Sequence, residues 1–133
     1  MTHDHSFEDA PDAQSQALFN PAHLGEIMGM SDSPALAEFY SIYLQQTQAL
    51  AAELSDLGAA GDLPALERLA HKFKSSTGFI GAEPLAQRLE QLEQVCRTGE
   101  REGVLARLDS TVSLVQRSLQ LIAERRDQLL QRS

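Results

Sequence analysis

The chain has 133 residues, 42% of them hydrophobic, which is enough for one domain with a sizeable core and too much for a disordered polymer. Acidic residues number 19 and basic residues 11, a net charge of −8, which argues against nucleic acid as a partner because phosphate contacts need a basic footprint. Aromatics are only 5%, tryptophan is absent and leucine and alanine dominate, a balance that favours helices over strands.

Residues 1–18 are polar, acidic and aperiodic, and read as a mobile tail; residues 19–133 read as the folded unit. Asn20 as N-cap and Pro21 in the first helical position predict a short helix, with Phe19 stapled to Leu24 and an apolar stripe of Leu24, Ile27 and Met28. A second helix starts at Ser33-Pro34 and carries Leu36, Phe39, Tyr40, Tyr43, Leu44, Leu50, Ala51, Leu54 and Leu57 at helical spacings before Gly58-Ala59-Ala60-Gly61 breaks it. Asp62 caps a third helix that runs to about Gly81. Pro84 opens a fourth, with Leu85, Leu89, Leu92 and Cys96 along one edge, and Thr98-Gly99 ends it. In the fifth, Leu105, Leu108, Val112, Val115, Leu119 and Ile122 form a coiled-coil-like seam. Short connections make sequential helices antiparallel neighbours. The expected fold is therefore all-α, an up-down-up-down four-helix bundle with a short additional N-terminal helix.

Cys96 is the only cysteine, so no intramolecular disulfide forms, which fits a reducing compartment. The start Met1-Thr2-His3-Asp4-His5 has neither the basic residues nor the apolar run of a signal peptide, and no stretch approaches the roughly 20 apolar residues of a membrane span. The expectation is a soluble, cytoplasmic protein with no membrane partner. Glycine-rich phosphate loops, paired cysteines, HExxH and GxSxG are all missing, and no metal site is expected from isolated histidines.

The third helix carries the chemistry. Turned at ~100° per residue from His71, it places Leu66, Leu69, Phe73 and Ile80 within roughly 40° of the opposite point, while Arg68, Lys74, Ser75 and Gly78 share the His71 side. A histidine needed for packing would stand with the leucines. This one stands among cations on a surface stripped of bulk downstream, where a partner can press close and hand over an anion. An imidazole with an ordinary pKa of about 6.5 is largely neutral and nucleophilic near neutral pH. Lys74, one turn along, can offset the charge of a phosphoryl group. By itself the pattern also fits a solvated surface histidine beside two lysines.

The segment His71-Lys72-Phe73-Lys74-Ser75-Ser76-Thr77, followed by Gly81-Ala82, Leu85 and Leu92-Glu93, resembles the signature of histidine-containing phosphotransfer (HPt) domains. Phe73 replaces the usual leucine, Ser75 a frequent glycine, and Phe79 stands where a polar residue is usual. The resemblance implies a carrier, not an autonomous enzyme. It would take a phosphoryl group on His71 from a receiver-domain aspartate and pass it to another receiver. Its partners would be receiver domains of response regulators and of a hybrid sensor histidine kinase, its state monomeric, and its only magnesium that of the receiver. By position, Lys74 would steady the phosphoryl oxygens, Glu93 would orient the imidazole and Arg97 would add a cation; Glu93 and Arg97 also fit an ordinary i,i+4 surface pair. Ser75 and Gly78 would keep the docking surface low, Arg68 and Lys72 would steer the encounter, and a partly exposed Phe79 with Ile27 or Met28 would border the receiver. The alternative is a helical-bundle interaction module that binds a signalling partner without phosphotransfer.

Overall fold

The computed structural model of the chain describes residues 18–131; the tail expected over residues 1–18 lies outside them except for half-buried Leu18. The described elements are α1 (His23–Met28), α2 (Leu36–Thr47), α3 (Leu50–Ala60), α4 (Leu63–Ile80), α5 (Glu83–Thr98) and α6 (Arg101–Gln131), with no strand among the described residues. The arm made by α2 and α3 packs with α4, α5 and α6 as the antiparallel four-helix bundle, and α1 is the short extra helix beside α4. None of these helices is long and apolar enough to cross a membrane.

Cross-helix contacts fix the directions. Arg125, late in α6, donates to Asp32 just before α2, and Gly58, late in α3, approaches Leu108 early in α6. Arg88 of α5 donates to Ser110 of α6. The core is mostly leucine: Leu24, Leu36, Leu50, Leu54, Leu66, Leu85, Leu89, Leu92 and Leu129 are fully buried. The whole apolar edge expected of the fourth helix, Leu85, Leu89, Leu92 and Cys96, faces inward.

Three sequence expectations change in detail. The second helix is divided at Gln48-Ala49, where Ala49 takes φ −98° and ψ 2°. Just before the break, the Thr47 hydroxyl donates to the Tyr43 carbonyl at 2.7 Å, a side-chain bond back to the preceding turn that bends helices. The short helix starts at His23, because Asn20 Oδ1 accepts from Ala22 N at 3.0 Å and closes a side-chain turn before helical bonding begins. Phe19 and Leu24 are both buried, and the Phe19 ring meets Tyr40 edge-on at 5.9 Å between centroids.

The seam of α6 keeps Leu108, Val115 and Ile122 as expected, but at the alternate positions the residue one earlier is the buried one. Its buried positions are Val104, Leu108, Thr111, Val115, Ser118 and Ile122, alternating by four and three, and then Leu129 seven residues on. Leu105 is 45% exposed, and Val112 and Leu119 lie half-buried at the margin. Two polar residues therefore hold seam positions. Thr111 is accommodated because its hydroxyl donates to the Arg107 carbonyl at 2.7 Å.

The helix bearing His71 is tied down at both ends. Asp62 Oδ1 accepts from Ala65 N at 3.1 Å, with Pro64 in the first turn. At the other end Gly81 takes φ 107°, and Gly81 N and Ala82 N donate to the Gly78 and Thr77 carbonyls. Any Cβ at Gly81 would stand 2.8 Å from the Asn20 carbonyl oxygen, while Asn20 N donates to the Gly81 carbonyl at 2.9 Å. The N-terminal segment is thus stitched to the end of α4 through a contact only glycine permits.

One buried polar pair joins α2 to α4: the Tyr43 hydroxyl and Thr77 Oγ1 are 2.6 Å apart, and burial pushes the Tyr43 phenol up to about 12, so it stays neutral. Tyr43→Phe should cost about 1–2 kcal/mol because it leaves the Thr77 hydroxyl without its partner. Adding Thr77→Val should recover part of that loss. Urea unfolding of both variants checks it; a double variant no more stable than Tyr43→Phe would contradict it.

Candidate functional site

On α4, Leu66, Phe73 and Ile80 are buried as the helical turn predicts, with Ala70 and Thr77 beside them and Leu69 half-buried. The opposite face carries His71, whose side chain is 68% exposed. Helix α5 runs antiparallel beside it, and the two make a ladder of facing pairs. Glu67 faces Arg97, His71 faces Glu93, Lys74 faces Glu90, and Gly78 faces Ala86. Partner numbers fall on α5 as steadily as they rise on α4, which sets one register for the whole edge.

Glu93 is the centre of the ladder. Its side chain is only 5% exposed, yet it touches three potential donors. Oε2 lies 2.9 Å from His71 Nδ1 and 2.8 Å from an Arg97 terminal nitrogen, and Oε1 lies 2.7 Å from Lys74 Nζ. The Lys74 ammonium chiefly, helped by the His71 contact, holds the Glu93 carboxyl below the ordinary carboxylate range although burial pulls the other way. Glu93 is therefore an anion. An ionised carboxylate can only accept, so in neutral His71 the proton must sit on Nδ1, and the lone pair is left on Nε2. With Nδ1 turned to buried Glu93 and the ring mostly exposed, Nε2 is the nitrogen offered to the outside.

Lys74 donates to Glu90 Oε1 at 2.6 Å as well as contacting Glu93, and these carboxylates, Glu90 first, raise its pKa. Its charge is already answered by two anions on α5. Arg97 is likewise shared: Nε donates to Glu67 Oε2 at 3.1 Å, in addition to the Glu93 contact. Glu67 and Glu90 were not singled out in the sequence. Glu67 lies one helical turn before His71, and Glu90 lies three residues before Glu93, so spacing puts each on the right face. Which cation each holds depends on the register between helices, which spacing within one helix does not contain.

The remaining residues form the rim. Glu67, Arg68, His71, Lys72, Glu93 and Arg97 line a shallow hollow on one side of the imidazole. Lys72 Nζ stands 5.1 Å from the centre of the Phe73 ring, a cation–π contact on the surface edge of a core side chain. Lys74, Ser75, Glu83 and Glu90 line a second hollow on the other side. A Cβ at Gly78 would meet Ala86 and Glu83 at an ordinary 3.7 Å, so packing on α5 does not require glycine there. Farther along, Phe79 is 42% exposed, and on the adjoining α1 Ile27 and Met28 are also exposed, leaving Leu24 alone of that helix's expected stripe in the core. Cys96 lies buried with its thiol pushed up to about 11 by burial and by the Glu67 charge, and is no nucleophile. No group of three metal-ligating side chains occurs among the described residues; His3 and His5 lie outside them.

The family model described as Hpt domain matches residues 38–131 of this chain. No curated protein and no solved structure matches it.

The depressed Glu93 carboxyl gives the site a pH signature. A carboxyl whose folded pKa lies below its ordinary value of 4.5 stabilises the fold fully above that value and loses the contribution as pH falls through the depressed one. The melting temperature of wild type should thus exceed that of Glu93→Gln near neutrality. The gap should narrow as pH drops below about 4.5. A gap that stays constant down to about pH 3 would contradict a Glu93 carboxyl held below its ordinary value.

Proposed function

Since the chain belongs to the Hpt domain family, and is thus a phosphotransfer carrier of two-component signalling, we propose that His71 Nε2 is the atom that carries the phosphoryl group. The observation that supports this most is the 2.9 Å contact between His71 Nδ1 and the buried, ionised Glu93, which leaves the Nε2 lone pair outward. The donor would be the aspartyl phosphate of a receiver domain, such as that of a hybrid sensor kinase, in the cytoplasm. The acceptor would be the aspartate of a second receiver, in a response regulator.

The step balances without a proton shuttle. The Nε2 lone pair forms the N–P bond as the P–O bond to the aspartate breaks, and the aspartate leaves as a carboxylate. The His71 ring keeps its Nδ1 proton and becomes cationic, and the Glu93 anion opposite stabilises that charge. Transfer onward reverses these events on another aspartate. The magnesium and most of the transition-state stabilisation belong to the receiver, so this chain contributes an oriented nucleophile and the charges around it. Arg68 and Lys72 on the rim raise the local positive potential of an otherwise acidic protein and steer the encounter. Low-profile Ser75 and Gly78 let a receiver approach, and Phe79, Ile27 and Met28 form its apolar footing.

Two outcomes test this reading. His71→Gln should abolish transfer of label from a phosphorylated receiver while leaving thermal unfolding nearly unchanged, because the side chain is mostly exposed; any label still arriving assigns another acceptor. Phe79→Ala should weaken receiver binding, roughly tenfold if the ring anchors the partner, with little change in melting temperature. A large stability loss with unchanged affinity would place Phe79 in the core instead.

A further inference from the structure

Lys74 and Arg97 beside the imidazole are both held by carboxylates, and two of these, Glu90 and Glu67, make no contact with the ring in the described contacts. Glu93 is needed to fix the tautomer. Glu67 does not touch His71 in the described contacts; what it holds is Arg97, through Nε at 3.1 Å. It stands on α4 one turn before His71 and lines the same hollow as His71 and Arg97. Arg97 is 59% exposed in its side chain, enough to swing, and its other carboxylate contact is to the same Glu93 oxygen that receives His71 Nδ1. The guanidinium is therefore already beside the imidazole and is restrained from the Glu67 side.

We propose that Glu67 is a positioning residue that competes with the phosphoryl group for Arg97 and thereby sets how much phosphate rests on His71 at equilibrium with a receiver. The inference rests on His71 being the phosphate carrier. When Nε2 acquires a phosphoryl group, its oxygens and the Glu67 carboxylate become rival anions for one planar cation in one hollow. As long as Glu67 keeps Arg97, the phosphorylated state gains less from the guanidinium. The phosphohistidine is left less favoured, which suits a carrier that must release the group to the next aspartate. Glu90 stands differently: it and Lys74 line the other hollow, which His71 does not line, although Lys74, like Arg97, also contacts Glu93.

The test is a double-mutant cycle on the full chain: wild type, Glu67→Gln, Arg97→Ala and the double variant. Each is equilibrated with an isolated receiver domain charged from radiolabelled acetyl phosphate, and the ratio of label on the two proteins is read. Glu67→Gln should shift the ratio toward the phosphohistidine roughly two- to fivefold, the range of a partly exposed charge pair. In the Arg97→Ala background the same substitution should shift it much less. An unchanged ratio for Glu67→Gln, or an equal shift with and without Arg97, overturns the role of Glu67 while leaving His71 as carrier. If wild type itself takes no label from any of a panel of charged receivers, the phosphotransfer reading fails and this one with it.

Discussion

A carboxylate removed from water must be matched by partners or lose its charge, and Glu93 is such a group. It remains ionised because Lys74, His71 and Arg97 converge on its two oxygens. That constraint dictates the state of the imidazole. If Glu93 were protonated, or turned to water, neither nitrogen of His71 would be singled out and the ring would be an ordinary surface histidine. The tautomer of an exposed histidine is thus tied to a buried carboxylate across a helix interface.

The bundle supplies the register that makes the convergence work. Four successive pairs from Glu67–Arg97 to Gly78–Ala86 depend on α5 leaving α4 through one tight connection at Gly81-Ala82. A slip of one residue would rotate Glu93 away from His71 by about 100°. The connection is held by the left-handed Gly81 and by the backbone bond from Asn20, and α4 itself is secured to α2 through Tyr43 and Thr77. The leucine-rich interior behind it gives the helices most of their stability, while the more exposed Glu67–Arg97 and Lys74–Glu90 pairs flanking buried Glu93 contribute little to folding and mainly determine the geometry of the site.

Much of this was legible in the residues. Capping and glycine signals at Asp62, Gly61, Gly81 and Gly99 mark helix ends that the structure keeps, and the apolar spacing around Leu66, Phe73 and Ile80 fixes which way His71 faces. What escaped has physical reasons. The division at Gln48-Ala49 follows a side-chain bond from Thr47 that leaves the apolar periodicity intact on both sides. In α6 Leu108, Val115 and Ile122 are buried as expected, but Thr111 and Ser118 occupy buried positions that a search for apolar residues passes over, while exposed Leu105 attracts it. The residues place Lys74 one turn from His71 but do not show its carboxylate partners. Its engagement by Glu90 and Glu93 arises from residues 16 and 19 positions away, across an interface whose register no single-helix pattern encodes.

The most direct measurement is nitrogen NMR of the chain with 15N-labelled histidine, using His71→Gln to assign the signals, above the imidazole pKa. The account predicts that neutral His71 carries its proton on Nδ1 and shows an unprotonated Nε2, and that charging with a phosphorylated receiver places the phosphorus on Nε2. A proton on Nε2 in the neutral ring, or phosphorus on Nδ1, would contradict it.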